Sequence, residues 1–247
     1  MSTDQYVHIL DIPFINTTKE QFIAQQVLPA LSQNIPLHIV TANPEIVMEA
    51  HQNPRYHQIV KEADYVVPDG IGVIMASKLV NNRLSERIPG IELFERMLEI
   101  AHDHNKSVYF LGAKEEVVEQ AVTNIQYQYP GLDVAGYHHG YIDIHDQAVF
   151  DEIQTEEPDF IFVALGFPKQ DEWIHHYKGI VGKGILMGVG GSFDVMAGES
   201  KRAPKAWIKL NLEWLYRLIK QPSRLIRVLK LPLFLIKVLW GKYIKKG

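Results

Sequence analysis

The sequence predicts an α/β fold in which a Rossmann-like, mostly parallel sheet with flanking helices is followed by a helical C-terminal membrane-docking appendage. Three observations predict it. Short apolar runs alternate with longer segments of helical periodicity, several of these runs are uninterrupted, and basic residues accumulate after residue 200. Uninterrupted apolar runs are typical of strands covered on both faces. Alternation of strands and helices implies right-handed crossovers between parallel strands.

The apolar runs predict six strands, which cover residues 6–10, 37–41, 65–67, 108–111, 160–165 and 185–189. The segments between them predict helices at 19–31, 44–51, 91–104, 115–129 and 147–154. In the third of these helices, Ile91, Phe94, Met97, Leu98 and Ala101 recur at the period of one helix face.

The composition is that of an ordinary globular protein. The 247 residues are 47% hydrophobic and 22% charged, which excludes a collagen-like, low-complexity or wholly disordered chain. The sequence contains no cysteine, which excludes a disulfide scaffold, a thiolate metal site and a cysteine nucleophile.

Charge divides the chain into two parts. Residues 1–200 carry 12 Lys and Arg against 28 Asp and Glu, whereas residues 201–247 carry 13 basic residues and one acid, Glu213. We therefore predict a Rossmann-like domain over 1–200, which the resemblance given below implies to be catalytic, and a basic amphipathic helical appendage over 201–247 with an anionic partner. The first residues contain no basic region followed by an apolar run, so we expect no secretory signal and a cytoplasmic protein.

The appendage combines basic residues with tryptophan and long aliphatic side chains. Trp207, Leu210, Trp214 and Leu218 have the spacing of one helix face, and Pro222 is expected to interrupt this helix and to start a second one. Basic residues recur too often beyond it for a membrane span, so the pattern favours a segment lying in a bilayer interface at the inner face of the cell membrane. A helical hairpin packed on the body or on a second subunit is the alternative. Nucleic-acid binding is disfavoured by the density of apolar residues, and a homo-oligomer stays open.

In parallel sheets, ligands bind outside the carboxyl ends of the strands. Five strand-to-helix loops are expected to share that edge, so this edge is the predicted site. The loops begin at Thr41, Pro68, Gly112, Gly166 and Gly190.

Asp69 lies in the second of these loops, between Pro68 and Gly70. A carboxylate at the start of a helix can act as a general base when its geometry and pKa agree. The same residue type is a favoured helix N-cap, and from the loop alone capping is the favoured interpretation.

The polar residues of two other loops have similar alternatives. Thr41 and Asn43 can hydrogen-bond a sugar or can cap the helix that begins at Pro44. Gly190 and Gly191 allow close backbone approach to a nucleotide, with Asp194 accepting from a base or ribose, but a simple tight turn also fits. Gly112 is a weaker signal of the same kind.

A metal site has little support in the sequence. The chain contains no Asp-x-Asp and no HExxH, and its two adjacent histidine pairs have diverging side chains. Chemistry that expels a diphosphate without a metal needs cations or helix dipoles. Arg87 and the appendage residues Arg217, Arg224 and Arg227 are the candidates, and a solvated or lipid-facing charge is the alternative for each.

Seven stretches of the sequence are long and particular. They are TANPEIV (41–47), PDGIGV (68–73), ERIPGIEL (86–93), FLGAKEEVVE (110–119), PDFIFVALGFPKQDEWI (158–174), GVGGSFDVMAGESKRAP (188–204) and LNLEWLYRL (210–218). In this order, and over nearly the whole chain, they resemble the WecG/TagA/CpsF glycosyltransferases (glycosyltransferase family 26). Within that family, the chain looks most like the members that act in wall teichoic acid synthesis in Gram-positive bacteria.

The resemblance implies an activity. It implies transfer of N-acetylmannosamine from UDP-ManNAc to the 4-hydroxyl of GlcNAc-diphospho-undecaprenol, with inversion and a β-1,4 linkage. The UDP-sugar is then a co-substrate, and neither a cofactor nor a metal is expected. The alternatives are a family member with another donor, UDP-glucose or the uronate of UDP-ManNAc, and a non-catalytic nucleotide-sugar-binding membrane module.

The resemblance also implies residue roles. Asp69 becomes the catalytic base, and the substrate-binding residues are Thr41, Asn43, Arg87, Gln170 and Asp194 with Gly112, Gly190 and Gly191. The appendage is implied to dock on the membrane and to close over the site, with Arg217, Arg224 and Arg227 meeting the lipid diphosphate.

Overall fold

One eight-stranded sheet forms the centre of the molecule. The computed structural model describes residues 5–210, 212–220 and 225–244, without the side chains at 205, 209, 217, 225–229 and 242–244. The strands are β1 (Tyr6–Ile9), β2 (Ile12–Ile15), β3 (Leu37–Ala42), β4 (Tyr65–Pro68), β5 (Val108–Gly112), β6 (Val134–His138), β7 (Phe160–Ala164) and β8 (Ile185–Gly188). Their order in the sheet is β1-β2-β4-β3-β8-β7-β5-β6.

The sheet is mostly parallel, as the sequence predicts. β1 and β2 form an antiparallel hairpin whose two turn residues, Leu10 and Asp11, both have positive φ, and the remaining neighbours pair in parallel. All six predicted strands are present, with ends within one or two residues. β2 and β6 were not predicted, because β2 is a four-residue run containing Pro13 and β6 is a half-exposed edge strand interrupted by Gly136.

Helices cover both faces of this sheet. They are α1 (Lys19–Phe22), a π-helical turn (Ile23–Val27), α2 (Leu28–Gln33), α3 (Pro44–Gln52), α4 (Pro54–Glu62), α5 (Ile71–Leu79), α6 (Gly90–Asp103), α7 (Glu115–Gln128), α8 (Gln147–Glu156), α9 (Lys169–Val181), α10 (Ser192–Met196), α11 (Lys205–Lys209), α12 (Glu213–Lys220) and α13 (Leu225–Ile244). The five predicted helices are all present. α4, α9 and α10 were not predicted, although Asn53 marks the start of α4 by accepting a hydrogen bond from the Tyr56 N–H.

The helices form two layers around separate cores. α1, α2, α6, α7 and α10 cover one face, where Phe94 and Phe162 pack edge to face with ring centroids 4.6 Å apart. α3, α4, α5 and α13 cover part of the other face, and α8 and α9 cover the rest of it. The uninterrupted apolar sequences of β5 and β7 follow from this, since both strands are buried on both faces.

The prediction of one continuous amphipathic helix over 207–218 is wrong, because two helices are present there. α11 ends at Lys209 and α12 begins at Glu213, with the Leu212 N–H donating to the Trp207 carbonyl at 2.8 Å between them. The rings of Trp207 and Tyr216 pack across this break with centroids 5.7 Å apart. Two short helices folded against each other therefore satisfy the apolar spacing. The predicted break at Pro222 lies outside the described residues, and α13 begins at Leu225.

The last helix packs on the body. Phe234 and Val238 of α13 are buried in the core that α3 and α5 share, which agrees with the alternative interpretation of the appendage for this face of the helix. The opposite face is uncovered: Leu233, Ile236 and Trp240 are 56%, 57% and 71% exposed. Within the described part of the chain, no helix is long and apolar enough to cross a bilayer.

Candidate active site

A cleft of about 790 Å³ opens at the carboxyl ends of four neighbouring strands, β4, β3, β8 and β7. This is the edge at which a parallel sheet places its ligand. The cleft brings together eight of the residues predicted for the site. They are Thr41, Asn43, Asp69, Arg87, Gln170, Gly190, Gly191 and Asp194.

Asp69 follows the last residue of β4 and is half-buried at the cleft wall. Its backbone N–H donates to the Ala42 carbonyl at 3.0 Å, which extends the pairing of β3 and β4 by one step. Gly70, with φ +90°, occupies the N-cap position of α5, so Asp69 is not the cap that the loop sequence favoured. The aspartate is therefore held at the strand end by its backbone, in the lining of the cleft.

Asn43 is a helix cap and also a lining residue. Its Oδ1 accepts hydrogen bonds from the backbone N–H groups of Glu45 at 2.9 Å and Ile46 at 3.0 Å, at the start of α3. The capping bonds occupy only the side-chain oxygen, so the amide N–H groups are not used by them. The two interpretations of Asn43 are thus compatible within one side chain.

Arg87 reaches the cleft from the loop before α6. This loop is tied to β4, because the Ile88 N–H donates to the Pro68 carbonyl at 2.8 Å. Its other end packs against Thr41: a methyl group on Gly90 would lie 2.9 Å from Thr41 Oγ1. These contacts place Arg87, Asp69 and Thr41 on one wall.

Gln170, at the start of α9, hydrogen-bonds the glycine loop, which is the loop that begins at Gly190 after β8. Its side chain is 5% exposed, and its Oε1 accepts a hydrogen bond of 3.2 Å from the Gly190 N–H. The side chain lies over Gly188, where a methyl group would overlap the amide of Gln170. Gly188 is therefore required by the close approach of this glutamine.

Asp194 sits in the short helix α10, just beyond the glycine loop. Ser192, which begins α10, is buried and donates its hydroxyl proton to the Val189 carbonyl at 2.8 Å. The Asp194 carbonyl accepts from the Ser200 N–H at 3.0 Å, so the chain folds back after α10 and brings Glu199 into the lining.

The C-terminal helices complete the cleft, and sequence reasoning did not find the residues involved. Trp214 of α12 and Lys230 and Leu231 of α13 line it. Leu231 lies against α5, since a methyl group on Gly72 would be 2.5 Å from Leu231 Cδ1. The charge asymmetry pointed to this segment, but no local pattern says which basic residue turns toward the sheet.

Gly112 and the loop after β5 do not contribute to this lining. β7 separates β5 from β8, so the predicted set of five loops reduces to four in the cleft. The glycine has a packing reason instead, because a methyl group there would lie 2.5 Å from the Ala164 carbonyl oxygen on β7. The predicted diphosphate residues Arg217, Arg224 and Arg227 lie outside the described side chains.

Acidic side chains outnumber basic ones in the described lining of the cleft. Arg87, from the loop before α6, and Lys230, from α13, are its two cationic side chains. Five carboxylates accompany them, those of Glu45, Asp69, Asp194, Glu199 and Glu213. Among the described residues there is no group of three or more potential metal ligands, and independence from metal stays a prediction. The arrangement suits a ligand that brings both hydroxyl groups and a phosphate, since carboxylates accept from hydroxyls and the two cations can neutralise phosphate charge.

Two named relatives match the chain over most of its length. It is 44% identical over 237 residues, 96% of this chain and 93% of the relative, to a Staphylococcus aureus (strain MW2) protein. It is 41% identical over 231 residues, 94% of this chain and 90% of the relative, to a protein of Bacillus spizizenii (strain ATCC 23059 / NRRL B-14472 / W23). Both relatives are named N-acetylglucosaminyldiphosphoundecaprenol N-acetyl-beta-D-mannosaminyltransferase.

The fold and the cleft define a Rossmann-like α/β protein with a ligand site at the carboxyl ends of its strands. The family model of the WecG/TagA/CpsF glycosyl transferases matches residues 7–247. The chain belongs to this family of glycosyl transferases, as its seven sequence stretches predict.

Proposed function

We propose that this chain is an inverting glycosyltransferase that moves N-acetylmannosamine from UDP-ManNAc to the 4-hydroxyl of GlcNAc-diphospho-undecaprenol. The relatives' shared name supports this donor sugar and this acceptor. The observation that carries the proposal is that one cleft holds Asp69, Arg87 and the Gly190 loop beside Lys230 of the C-terminal helix.

In the proposed reaction, Asp69 takes the proton of the acceptor's 4-hydroxyl. The oxygen attacks the anomeric carbon of the donor as the bond from that carbon to UDP breaks, and UDP leaves with the bonding electron pair from the opposite face. This displacement inverts the anomeric centre and gives the β-1,4 linkage. A positioned general base contributes about 10²–10⁴-fold to such a step.

The departing UDP carries negative charge that the protein must stabilise. Arg87 and Lys230 both line the cleft, from the loop before α6 and from α13, and we assign them to the phosphates of donor and acceptor. Arg217, Arg224 and Arg227 stay candidates for the acceptor's diphosphate. With cations in these places the reaction needs no metal, and UDP-ManNAc is a co-substrate.

The acceptor's lipid places the reaction at a membrane. We propose that α13 lies in the interface of the inner leaflet, with the exposed side chains of Leu233, Ile236 and Trp240 in the apolar layer. Each Lys or Arg near an anionic leaflet adds about 1 kcal/mol to such binding. Since α13 also lines the cleft, attachment would bring the lipid diphosphate to Arg87 and Asp69 and limit hydrolysis of the donor away from the membrane.

The test is transfer to a GlcNAc-diphospho-lipid from a panel of UDP-sugars, with the product identified by mass. UDP-ManNAc should give a product larger by one N-acetylhexosamine, and UDP-glucose and the uronate of UDP-ManNAc should give none. Asp69→Asn should lose transfer by at least about 10²-fold while still binding UDP. Product from another donor would replace ManNAc in the proposal, and absence of product from every donor would favour a binding module.

A further inference from the structure

The residue that follows Gln170 is a buried carboxylate. Asp171, in the first turn of α9, is 0% exposed and lies between β3 and α4. Its Oδ2 accepts a hydrogen bond of 2.6 Å from the hydroxyl of Tyr56, which is also buried. Its Oδ1 lies 3.8 Å from Nε2 of the buried His38. Burial and the neighbouring Asp171 charge raise the pKa of Tyr56 above its usual range, so the phenol keeps the proton that it donates.

The residue before this carboxylate faces the cleft. Gln170 accepts a hydrogen bond of 3.2 Å from the Gly190 N–H and covers Gly188, whereas Asp171 points away from the cleft, toward Tyr56. Successive side chains of a helix diverge by about 100°. The first turn of α9 therefore directs Asp171 into the core and Gln170 into the cleft. Neither Asp171 nor Tyr56 lines the cleft.

A second polar link fastens α9 farther from the cleft. Lys178 pairs with Asp64, and Asp64 Oδ2 accepts from the backbone N–H of His38 at 2.6 Å. Both links therefore join α9 to the region of β3, but only the link through Asp171 is next to Gln170. Their separation along the helix allows a local effect on the site to be distinguished from a general effect on stability.

Packing alone does not account for a carboxylate in this place. Burial of an ionised group costs several kcal/mol unless hydrogen bonds compensate it, and apolar residues of similar volume often fill such a space at no loss of stability. A short hydrogen bond in a dry environment, by contrast, fixes distance and direction. The Tyr56–Asp171 pair is suited to fixing where α9 begins.

We propose that Asp171 is a positioning residue: its bond to Tyr56 fixes the first turn of α9, and through Gln170 this fixes the Gly190 N–H in the cleft. The inference rests on the proposed function, in which Gln170 and the Gly190 loop contact the UDP-sugar. Small displacements of a positioned group lower the rate strongly, about 10²-fold for 1 Å.

The experiment is a double-mutant cycle between Tyr56→Phe and Gln170→Ala, with kcat and KM for the UDP-sugar donor and the unfolding midpoint measured for each variant. Tyr56→Phe keeps the ring and removes the hydrogen bond, and we expect kcat/KM to fall about tenfold. Gln170→Ala should lower it about 100-fold, and the double variant should be no worse than Gln170→Ala alone. Lys178→Met is the matched control, expected to lower the unfolding midpoint with kcat/KM within about twofold of the parent.

Additive losses in the cycle would overturn the proposal, because a residue acting through Gln170 has no further effect once Gln170 is gone. An equal loss of kcat/KM in Lys178→Met would also overturn it, as would an unchanged kcat/KM in Tyr56→Phe. If Tyr56→Phe does not fold, Asp171→Asn replaces it in the same cycle and is judged by the same additivity. Failure of the proposed function is distinct, since the parent protein itself would then transfer no sugar.

Discussion

Leu231 of α13 lies so close to Gly72 of α5 that a methyl group on Gly72 would fall 2.5 Å from Leu231 Cδ1. The same methyl group would be 2.6 Å from Cγ of Pro44, the first residue of α3. The C-terminal helix is therefore seated against the starts of the two helices that follow β3 and β4, the strands that end next to Asn43 and Asp69.

Gly72→Ala is expected to displace α13. The methyl group would overlap the Leu231 side chain and the rigid Pro44 ring together, so α3, α5 and α13 cannot keep their present spacing, and such overpacking costs about 1–3 kcal/mol. We expect faster amide exchange in α13 and a roughly tenfold lower kcat/KM, measured by hydrogen–deuterium exchange and by transfer assays. Gly179→Ala in α9, where a methyl group would meet nothing within 4 Å, is the control and should change neither. Parent-like exchange in Gly72→Ala would show that this contact does not hold the helix.

Arg87→Gln is expected to lower kcat/KM by about 10²-fold. Loss of one preorganised group that stabilises developing charge usually has an effect of this size. Inhibition by UDP should weaken in parallel, whereas the unfolding midpoint should stay the same because Arg87 is half-exposed at the cleft wall. Arg83→Gln changes an exposed arginine four residues earlier and should leave kcat/KM within about twofold. Equal losses in both variants would remove Arg87 from the proposed mechanism.

Arg202→Met is expected to lower the free energy of unfolding by about 1–2 kcal/mol. Arg202 bonds Glu92 at 2.6 Å and Glu95 at 3.3 Å, and this anchors the segment after α10 on α6. Arg96→Met is the control: Arg96 pairs with Glu99 at 2.9 Å on the exposed side of the same helix, and such pairs contribute less than about 1 kcal/mol. Urea unfolding of both variants checks the difference, and equal losses would contradict it.

The loss in free energy of unfolding that Arg202→Met causes should grow as the pH rises. Burial raises the pKa of Glu95, and the Arg202 charge acts in the opposite direction. A carboxyl whose pKa is raised by folding binds its proton more tightly in the folded state, so its contribution to stability is lost as pH rises through the folded-state pKa. Without Arg202 that pKa rises further. Urea unfolding of parent and variant at pH 4.5 and pH 7.5 should show the larger difference at pH 7.5.

Trp240→Ser is expected to weaken binding to vesicles that contain phosphatidylglycerol by about tenfold. Trp240 is 71% exposed on the uncovered face of α13, so its loss removes apolar surface from the proposed contact and leaves the unfolding midpoint unchanged. Tyr127→Ser is the matched control, since Tyr127 is 89% exposed on α7, on the opposite face of the sheet. Vesicle sedimentation measures both, and an equal effect of the two substitutions would place the membrane contact elsewhere.

Local sequence predicts most of the sheet because its central strands leave a strong signal. Phe160–Ala164 is buried on both faces, and no polar residue interrupts it. The edge strand Val134–His138 is half-exposed and contains Gly136, so it lacks both the apolar run and the alternation that identify strands. The order of the strands is set by tertiary packing, which is why Gly112 was expected in the site although β5 lies one strand beyond β7, the outermost strand of the cleft on that side.

The polar wall of the site was predictable for a different reason. The carboxyl ends of parallel strands share one edge, so residues following separate strands, such as Asn43 and Asp69, were expected to meet there. Lys230 and Leu231 could not be found in this way, because they reach the cleft through the docking of Phe234 and Val238 on the body. The periodicity of α13 is the same for a helix on a membrane and for a helix on a protein core.

The late position of α13 in the chain sets an order of assembly during synthesis. A ribosome releases β3, β4, β7 and β8 before the residues of α13, and a growing chain folds from its amino-terminal side. Until residues 225–244 emerge, the apolar groove between α3 and α5 is uncovered. The site therefore closes only after residues 225–244 are made, and a nascent chain halted before residue 225 would already carry Asp69 and Arg87 with one wall missing.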